Sequence, residues 1–284
     1  VEYKTSGWKL SENRKYLTIT DKTGIGRLKL IGTRDLHFYQ IKQIKRIRLI
    51  RRADGYYAQF CIDQERLEDC TPTNKIIGLD VGLESFYTDS NGQKVENPRF
   101  LRKSEKRLKQ LQKSLSRKKK GSANRRKARE KLAKQHLKVS RQRKDWVVKL
   151  ARCVIMSNDF VAIEDLNVKG LARTRLAKSV NDASWSLFRQ WLEYFAKVFN
   201  RLLIAVSPNY TSQDCCKCGQ RIKKDLSIRL HICSCGLILD RDHNAAINIL
   251  LKALDVVGHT KSLNACGQFN LCQVSESLLG KFAG

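Results

Sequence analysis

The stretch from residue 215 to 235 reads CCKCGQRIKKDLSIRLHICSC, and it restricts the fold more than any other part of the chain. Cys215-x-x-Cys218 is followed by Gly219, and 14 residues later Cys233-x-Cys235 is followed by Gly236. Two thiolate pairs, each followed by a glycine that lets the backbone turn tightly, are the ribbon pattern for a four-coordinate Zn²⁺. Four protein ligands leave no open coordination position, so the expected role of the ion is structural. The second pair is C-x-C rather than C-x-x-C, and Cys216 is an alternative to Cys215 as ligand. His231 is a spare donor, read here as an exposed strand histidine. The remaining cysteines, Cys61, Cys70, Cys153, Cys266 and Cys272, read as buried small hydrophobes or incidental residues. With no secretory hydrophobic region at the N-terminus, ten cysteines fit a reducing, cytoplasmic setting rather than a disulfide scaffold.

The charge balance points to a partner. Lys and Arg number 56 against 27 acids, a net of +29. Residues 101 to 150 alone hold 21 Lys or Arg against three acids, a net of +18. Like charges at this density repel unless phosphates neutralise them, so nucleic acid is the expected partner. Arg117, Lys118, Lys119, Lys120, Arg125, Arg126 and Lys127 flank the Gly121-Ser122 break and are the candidate phosphate contacts. No apolar run reaches membrane-spanning length, so no membrane partner is expected. The sequence does not begin with methionine, its one Met being Met156, and an N-terminal portion is expected to be missing.

Residues 1 to 70 read as short strands broken by turns: KYLTIT, GRLKLIG, IKRIRLIRR and YYAQFCID, the material of a small β-barrel or sandwich. KIIGLDVGLESFYTDSNGQKV reads as a buried strand, a tight turn and a hairpin at Asn91-Gly92. After Pro98 the pattern turns helical, with Leu101, Leu108, Leu111 and Leu115 on one seam and a second basic helix starting near Asn124. WVVKLARCVIM reads as a buried helix, DFVAIEDL as a core strand, residues 184 to 198 as an amphipathic helix and RLLIAVSP as a further strand. Strands alternating with helices predict an α/β domain.

Three acids share a placement at the end of an apolar element: Asp80 after IIGL, Glu164 after FVAI, and Asp242 at the start of the helix in LDRDHNAAINIL. A carboxylate beside a hydrophobic strand is costly unless it is paired or binds a cation. Acids converging at strand ends are what two-metal phosphodiester hydrolysis requires, because Mg²⁺ prefers carboxylate and water oxygens. Asp80 is the candidate to bridge two ions about 3.5 to 4 Å apart, with Glu164 and Asp242 each completing a shell. Taken singly, Asp80 is a turn former, Glu164 a surface acid and Asp242 a helix cap. The small pair Ala245 and Ala246 would let that helix lie close against a sheet.

With GLDVGL, IEDLNV, TSQDCCKCG and CGLILDRDHNAAINIL in this order, the chain resembles the TnpB family of insertion sequences, long described as transposases and similar to type V CRISPR effector nucleases. The resemblance implies an RNase H-like RuvC nuclease domain with a helical insertion and a zinc ribbon, preceded by a small wedge-like β-barrel. The implied organisation is a partial nucleic-acid-binding β-domain over 1–73, RuvC parts over 74–100, 151–209 and 239–257, a basic helical hairpin over 101–150, a zinc ribbon over 210–238, and a tail over 258–284. It implies RNA-guided DNA cleavage, with a guide RNA derived from the transposon end and target DNA as partners, in a prokaryotic cytoplasm and on the nucleoid when DNA is bound. Asp80, Glu164 and Asp242 match the three RuvC acids, which leaves Asp240 as the helix cap. The family usually carries a further N-terminal segment, so the chain is expected to begin inside the β-domain. A catalytically inactive regulator that only binds RNA and DNA, and a transposase joining strands by the same metal chemistry, are the competing expectations.

Overall fold

The computed structural model describes residues 1–258 except 22–23, 33–34 and 226; the expected tail beyond Gly258, with Cys266 and Cys272, lies outside the described residues. The chain divides into two compact units, one of Val1–Arg66 with Arg107–Lys138, the other of Leu67–Lys106 with Val139 onward.

The first unit holds β1 (Glu2–Lys4), β2 (Trp8–Leu10), β3 (Tyr16–Ile19), β4 (Arg27–Lys29), β5 (Ile44–Arg52) and β6 (Gly55–Ile62). They form two antiparallel sheets, β1-β5-β6 and β2-β3-β4, and no ladder among the described residues joins them into a closed barrel. Tyr3, Trp8, Leu17, Ile19, Ile44 and Ile47 make one buried cluster shared by both sheets. Strict alternation in β5 would put Ile44 and Ile47 on opposite faces. A bulge between Ile44 and Arg46 absorbs one residue, so both reach the core while Lys45, Arg46 and Arg48 stay exposed.

The second unit is built on β7 (Ile76–Val81), β8 (Ser85–Asp89) and β9 (Lys94–Glu96), which form an antiparallel meander. Two long helices follow, α1 (Phe100–Ser116) and α2 (Ala123–Ser157). Then come β10 (Phe160–Glu164), the short helices α3 (Val168–Leu171) and α4 (Ala177–Ala183), α5 (Trp185–Val198) and β11 (Leu202–Val206). The hairpin of β12 (Leu230–Ile232) and β13 (Ile238–Asp240) runs straight into α6 (Arg241–Val256). The main sheet has the order β11-β10-β7-β8-β9, with β10 parallel to both neighbours.

Period-two alternation sorts the strand residues onto two faces. Ile77, Leu79, Val161 and Ile163 pack with α5 and with Val147, Ala151, Val154 and Ile155 of α2. Ile76, Phe160 and Ala162 pack against Ile249, Leu250, Ala253 and Leu254 of α6. The sheet is therefore covered on both faces, as its apolar strands require. The closest approach is at Gly78, where any Cβ would stand 2.3 Å from the carbonyl oxygen of Ala246. Ala245 and Ala246 are fully buried there, as their small size predicts.

Expected as two separate helices, the residues from 123 to 157 form one helix of 35 residues, about 52 Å long. No Gly or Pro interrupts that span, so nothing ends the helix between its basic half and its apolar half. The domain boundary expected between residues 150 and 151 falls inside it. Asp182, buried on α4, accepts hydrogen bonds from the backbone N–H of Leu101 at 2.9 Å and from Nε of Arg143 at 3.2 Å, and so anchors the start of α1.

Candidate active site and metal centre

β7 runs one residue past Asp80, β10 ends on Glu164, and Asp242 is the second residue of α6. Leu79 stands opposite Ile163 in the parallel pairing, so Asp80 and Glu164 leave the same end of the sheet side by side. The close approach of Ala246 to Gly78 brings the first turn of α6 to that end as well. All three acids are half-buried.

Their electrostatics show the crowding. Burial pushes the Asp80 carboxyl well above the usual carboxylate range, Glu164 and Asp242 push it further, and Arg241 offsets part of the effect. Burial also raises Glu164, opposed by a hydrogen bond donated from Oγ1 of Thr211 at 2.6 Å and by the charge of Lys252. Asp242 is ion-paired with Arg241 at 3.2 Å and Arg229 at 3.6 Å. Asp240 is the N-cap of α6: its Oδ1 accepts from the backbone N–H of Asp242 at 3.0 Å and His243 at 3.2 Å. Burial raises its pKa, but Lys94, 2.8 Å away, and the two N–H groups win and hold the carboxyl below its usual value. The two aspartates thus differ: Asp240 caps the helix, while Asp242 pairs with Arg241 and Arg229 and its charge acts on Asp80 more strongly than that of Asp240.

Hard oxygen donors under mutual repulsion fit divalent Mg²⁺, which would be held by Asp80, Glu164 and Asp242. The cysteine quartet is tighter. The Sγ atoms of Cys215, Cys218, Cys233 and Cys235 all lie within 4.8 Å of one another, and among the described residues no other group of three or more potential ligands converges so closely. Cys215 and Cys235 are 3.7 Å apart and Cys218 and Cys233 3.5 Å. A tetrahedron with 2.3 Å metal–sulfur bonds has edges of about 3.8 Å, so the quartet fits Zn²⁺. Cys216 stands outside it, and its backbone N–H donates to Oδ1 of Asn244 at 3.0 Å.

One sequence expectation needs correction. His231 is fully buried rather than exposed; its Nδ1 meets Nζ of Lys224, and it does not join the quartet. Alternation identified its strand but not what packs on the strand's inner side. Cys153 is exposed on α2, the incidental alternative of the two expected for it, because the apolar face of that helix passes through Ala151, Val154 and Ile155. Sequence reasoning also missed Thr211, Lys252, Arg229 and Lys94. Thr211 opens the motif TSQDCCKCG, but its partner Glu164 is 47 residues away.

In the basic segment, Arg117, Lys118, Lys119, Lys120, Arg126 and Lys127 are exposed. Arg125 differs: its guanidinium donates to the carbonyls of Leu115 at 3.1 Å and Lys118 at 2.9 Å, at the C-terminal end of α1. Leu115 lies in the last turn of α1, where the carbonyls carry the negative end of the helix dipole, and Lys118 lies in the turn that follows, so Arg125 serves the hairpin turn.

A mixed sheet covered on both faces, acids at the ends of adjacent strands and a four-cysteine hairpin leading into α6 make up a Cas12f-like fold. A solved structure agrees: in the cryo-EM complex of Cas12f1 with sgRNA and target DNA, the fold is shared with a TM-score of 0.51 at 19% identity, over 74% of this chain and 47% of that one. Residues 59–175 match the OrfB family of IS605, described as "Probable transposase", and residues 185–249 match the "Cas12f1-like, TNB domain". A "Putative RNA-guided DNA endonuclease" of Streptomyces pristinaespiralis is 37% identical over 207 residues, 72% of this chain and 50% of that protein. The "Putative RNA-guided DNA endonuclease InsQ" of Escherichia coli K12 is 29% identical over 243 residues, 79% of this chain and 59% of that protein. The chain belongs to the OrfB/TnpB family of insertion-sequence proteins, and it spans about half the length of these curated relatives.

Proposed function

We propose that this chain is the nuclease-bearing part of an RNA-guided DNA endonuclease that hydrolyses DNA phosphodiesters at Asp80, Glu164 and Asp242. The observation that carries the reading is that Asp80 and Glu164 leave adjacent parallel strands at the end of the sheet where α6 begins with Asp242, in a chain of net charge +29. The charges of both Glu164 and Asp242 act on Asp80, and the three carboxylates would together hold the Mg²⁺ that such hydrolysis uses. When bound, such ions activate the attacking water and neutralise charge on the departing oxygen. The residues of the chain hold and orient: Thr211 fixes one oxygen of Glu164, and the cap at Asp240 fixes the helix turn that presents Asp242. Arg241 and Arg229 pair with Asp242 beside its neighbours. Zn²⁺ held by Cys215, Cys218, Cys233 and Cys235 would close the ribbon that leads into α6. The exposed cations of α1 and α2 are the surface for nucleic-acid phosphates. By this reading the partners are a guide RNA from the transposon end and a target DNA.

The test is to sequence the RNA that co-purifies with the chain and to assay DNA matching it, in Mg²⁺ and in EDTA. Magnesium-dependent breaks in matched DNA alone support the reading. Tight binding without cleavage would favour an RNA- and DNA-binding regulator, and joined products would favour strand transfer.

A further inference from the structure

We infer that Thr211 is a positioning residue for Glu164, and that Asn244 and Asn248 hold it in place through a buried amide network on the same helix that carries Asp242. The inference rests on Glu164 being a metal ligand, as proposed above. Thr211 is 3% exposed and its Oγ1 lies 2.6 Å from Oε1 of Glu164 and 3.1 Å from the carbonyl of Pro208. A hydroxyl has one proton to donate, and the shorter bond, to a carboxylate, is the stronger, charge-assisted one. The carboxylate is thereby fixed in rotation at the strand end.

What fixes Thr211 is itself well determined. Its carbonyl accepts from Nδ2 of Asn248 at 2.8 Å, and the same nitrogen donates to the carbonyl of Asp214 at 2.6 Å. Nδ2 of Asn244 donates to that carbonyl too, at 2.8 Å, while its Oδ1 accepts from the N–H of Cys216 at 3.0 Å. Asn244 is 0% and Asn248 7% exposed. They are four residues apart on α6, on one face, and Asn244 follows Asp242 by two. Asparagine in a helix interior gives up helix propensity, and a buried amide is costly unless bonded. Two such residues, both bonded to one loop, tie residues 211–216 to α6. Glu164 and Asp242 are thus referenced to the same helix, one through the Asn248–Thr211 link and the other directly. The loop continues into Cys218, so closure of the cysteine ribbon supports the position of Thr211.

The experiment compares Thr211→Val, which keeps the shape and removes the hydroxyl, with Thr211→Ser, which restores it. Mn²⁺ binding is read from the paramagnetic resonance of the free ion, with Asp80→Ala as baseline, alongside the Mg²⁺ concentration for half-maximal cleavage. Loss of an outer partner of a metal ligand commonly lowers affinity about 10–100-fold, and Thr211→Val should weaken Mn²⁺ by about tenfold or more while DNA binding holds. Thr211→Ser should return to the parental value, which a merely space-filling role would not produce. Asn248→Ala should shift Mn²⁺ binding in the same direction as Thr211→Val. If Thr211→Val does not melt cooperatively, Thr211→Ala repeats the comparison without a branched methyl. Parental affinity in a folded variant lacking the hydroxyl overturns the inference. A parent that binds no more Mn²⁺ than Asp80→Ala overturns the metal reading of the acids, and the inference with it.

Discussion

Burial and two neighbouring acids hold the Asp80 carboxyl well above the ordinary carboxylate range, so the folded chain binds that proton more tightly than the unfolded chain does. The sign follows: this contribution to stability is fully present below the unfolded value near 3.8 and is lost as pH rises through the raised folded value. Once the pH exceeds that raised value, in EDTA, the ionised group is a liability, and Asp80→Asn should stabilise the chain by about 0.5–2 kcal/mol. Adding Mg²⁺ should raise the melting temperature of the parent and leave the variant almost unchanged. A variant that melts below the parent in EDTA would contradict the crowding. The acids were legible in the sequence because each follows or opens an apolar run in a basic chain. Thr211 was not, since a hydrogen bond across 47 residues leaves no local pattern. His231 was misjudged because alternation gives a face but not what covers it.

Among the elements, the strands of IIGLDV and FVAIE were predictable from their apolar runs, and α6 from its cap and small residues. The bulge in β5 was not, because it depends on which residues the core must take up. The continuity of α2 follows from an absence of breakers that the change from basic to apolar composition concealed. Arg125 shows the same limit within a charge run, where composition does not tell a phosphate ligand from a helix cap. Replacing Lys118, Lys119, Lys120, Arg126 and Lys127 by Gln should flatten the salt dependence of DNA or RNA binding by about 0.9 in log–log slope for each phosphate left without its cation. Arg125→Gln should instead lower thermal stability with little change in that slope. A salt dependence untouched by the five-fold change would remove this surface from the interface. The ribbon makes a separate prediction: one Zn²⁺ per chain by elemental analysis, with chelation raising hydrogen exchange over β12, β13 and the start of α6. A folded, unchelated preparation without zinc would contradict the assignment.

For the whole molecule, the sequence order anticipated a mixed sheet interrupted by a four-cysteine hairpin. Unit boundaries cut through both α1 and α2, because helices without breakers cross from one compact unit to the other. The proposed chemistry belongs to one end of the sheet, and the two aspartates of α6 make it sharply testable. Cleavage of guide-matched DNA in Mg²⁺ should be abolished by Asp80→Ala and by Asp242→Ala, with nucleic-acid binding retained through the basic helices. Asp240→Ala should cost only a helix cap, about 1 kcal/mol of stability, and leave substantial cleavage. If Asp80→Ala cuts as well as the parent, or if Asp240 proves essential while Asp242 is dispensable, the site has been assigned to the wrong residues.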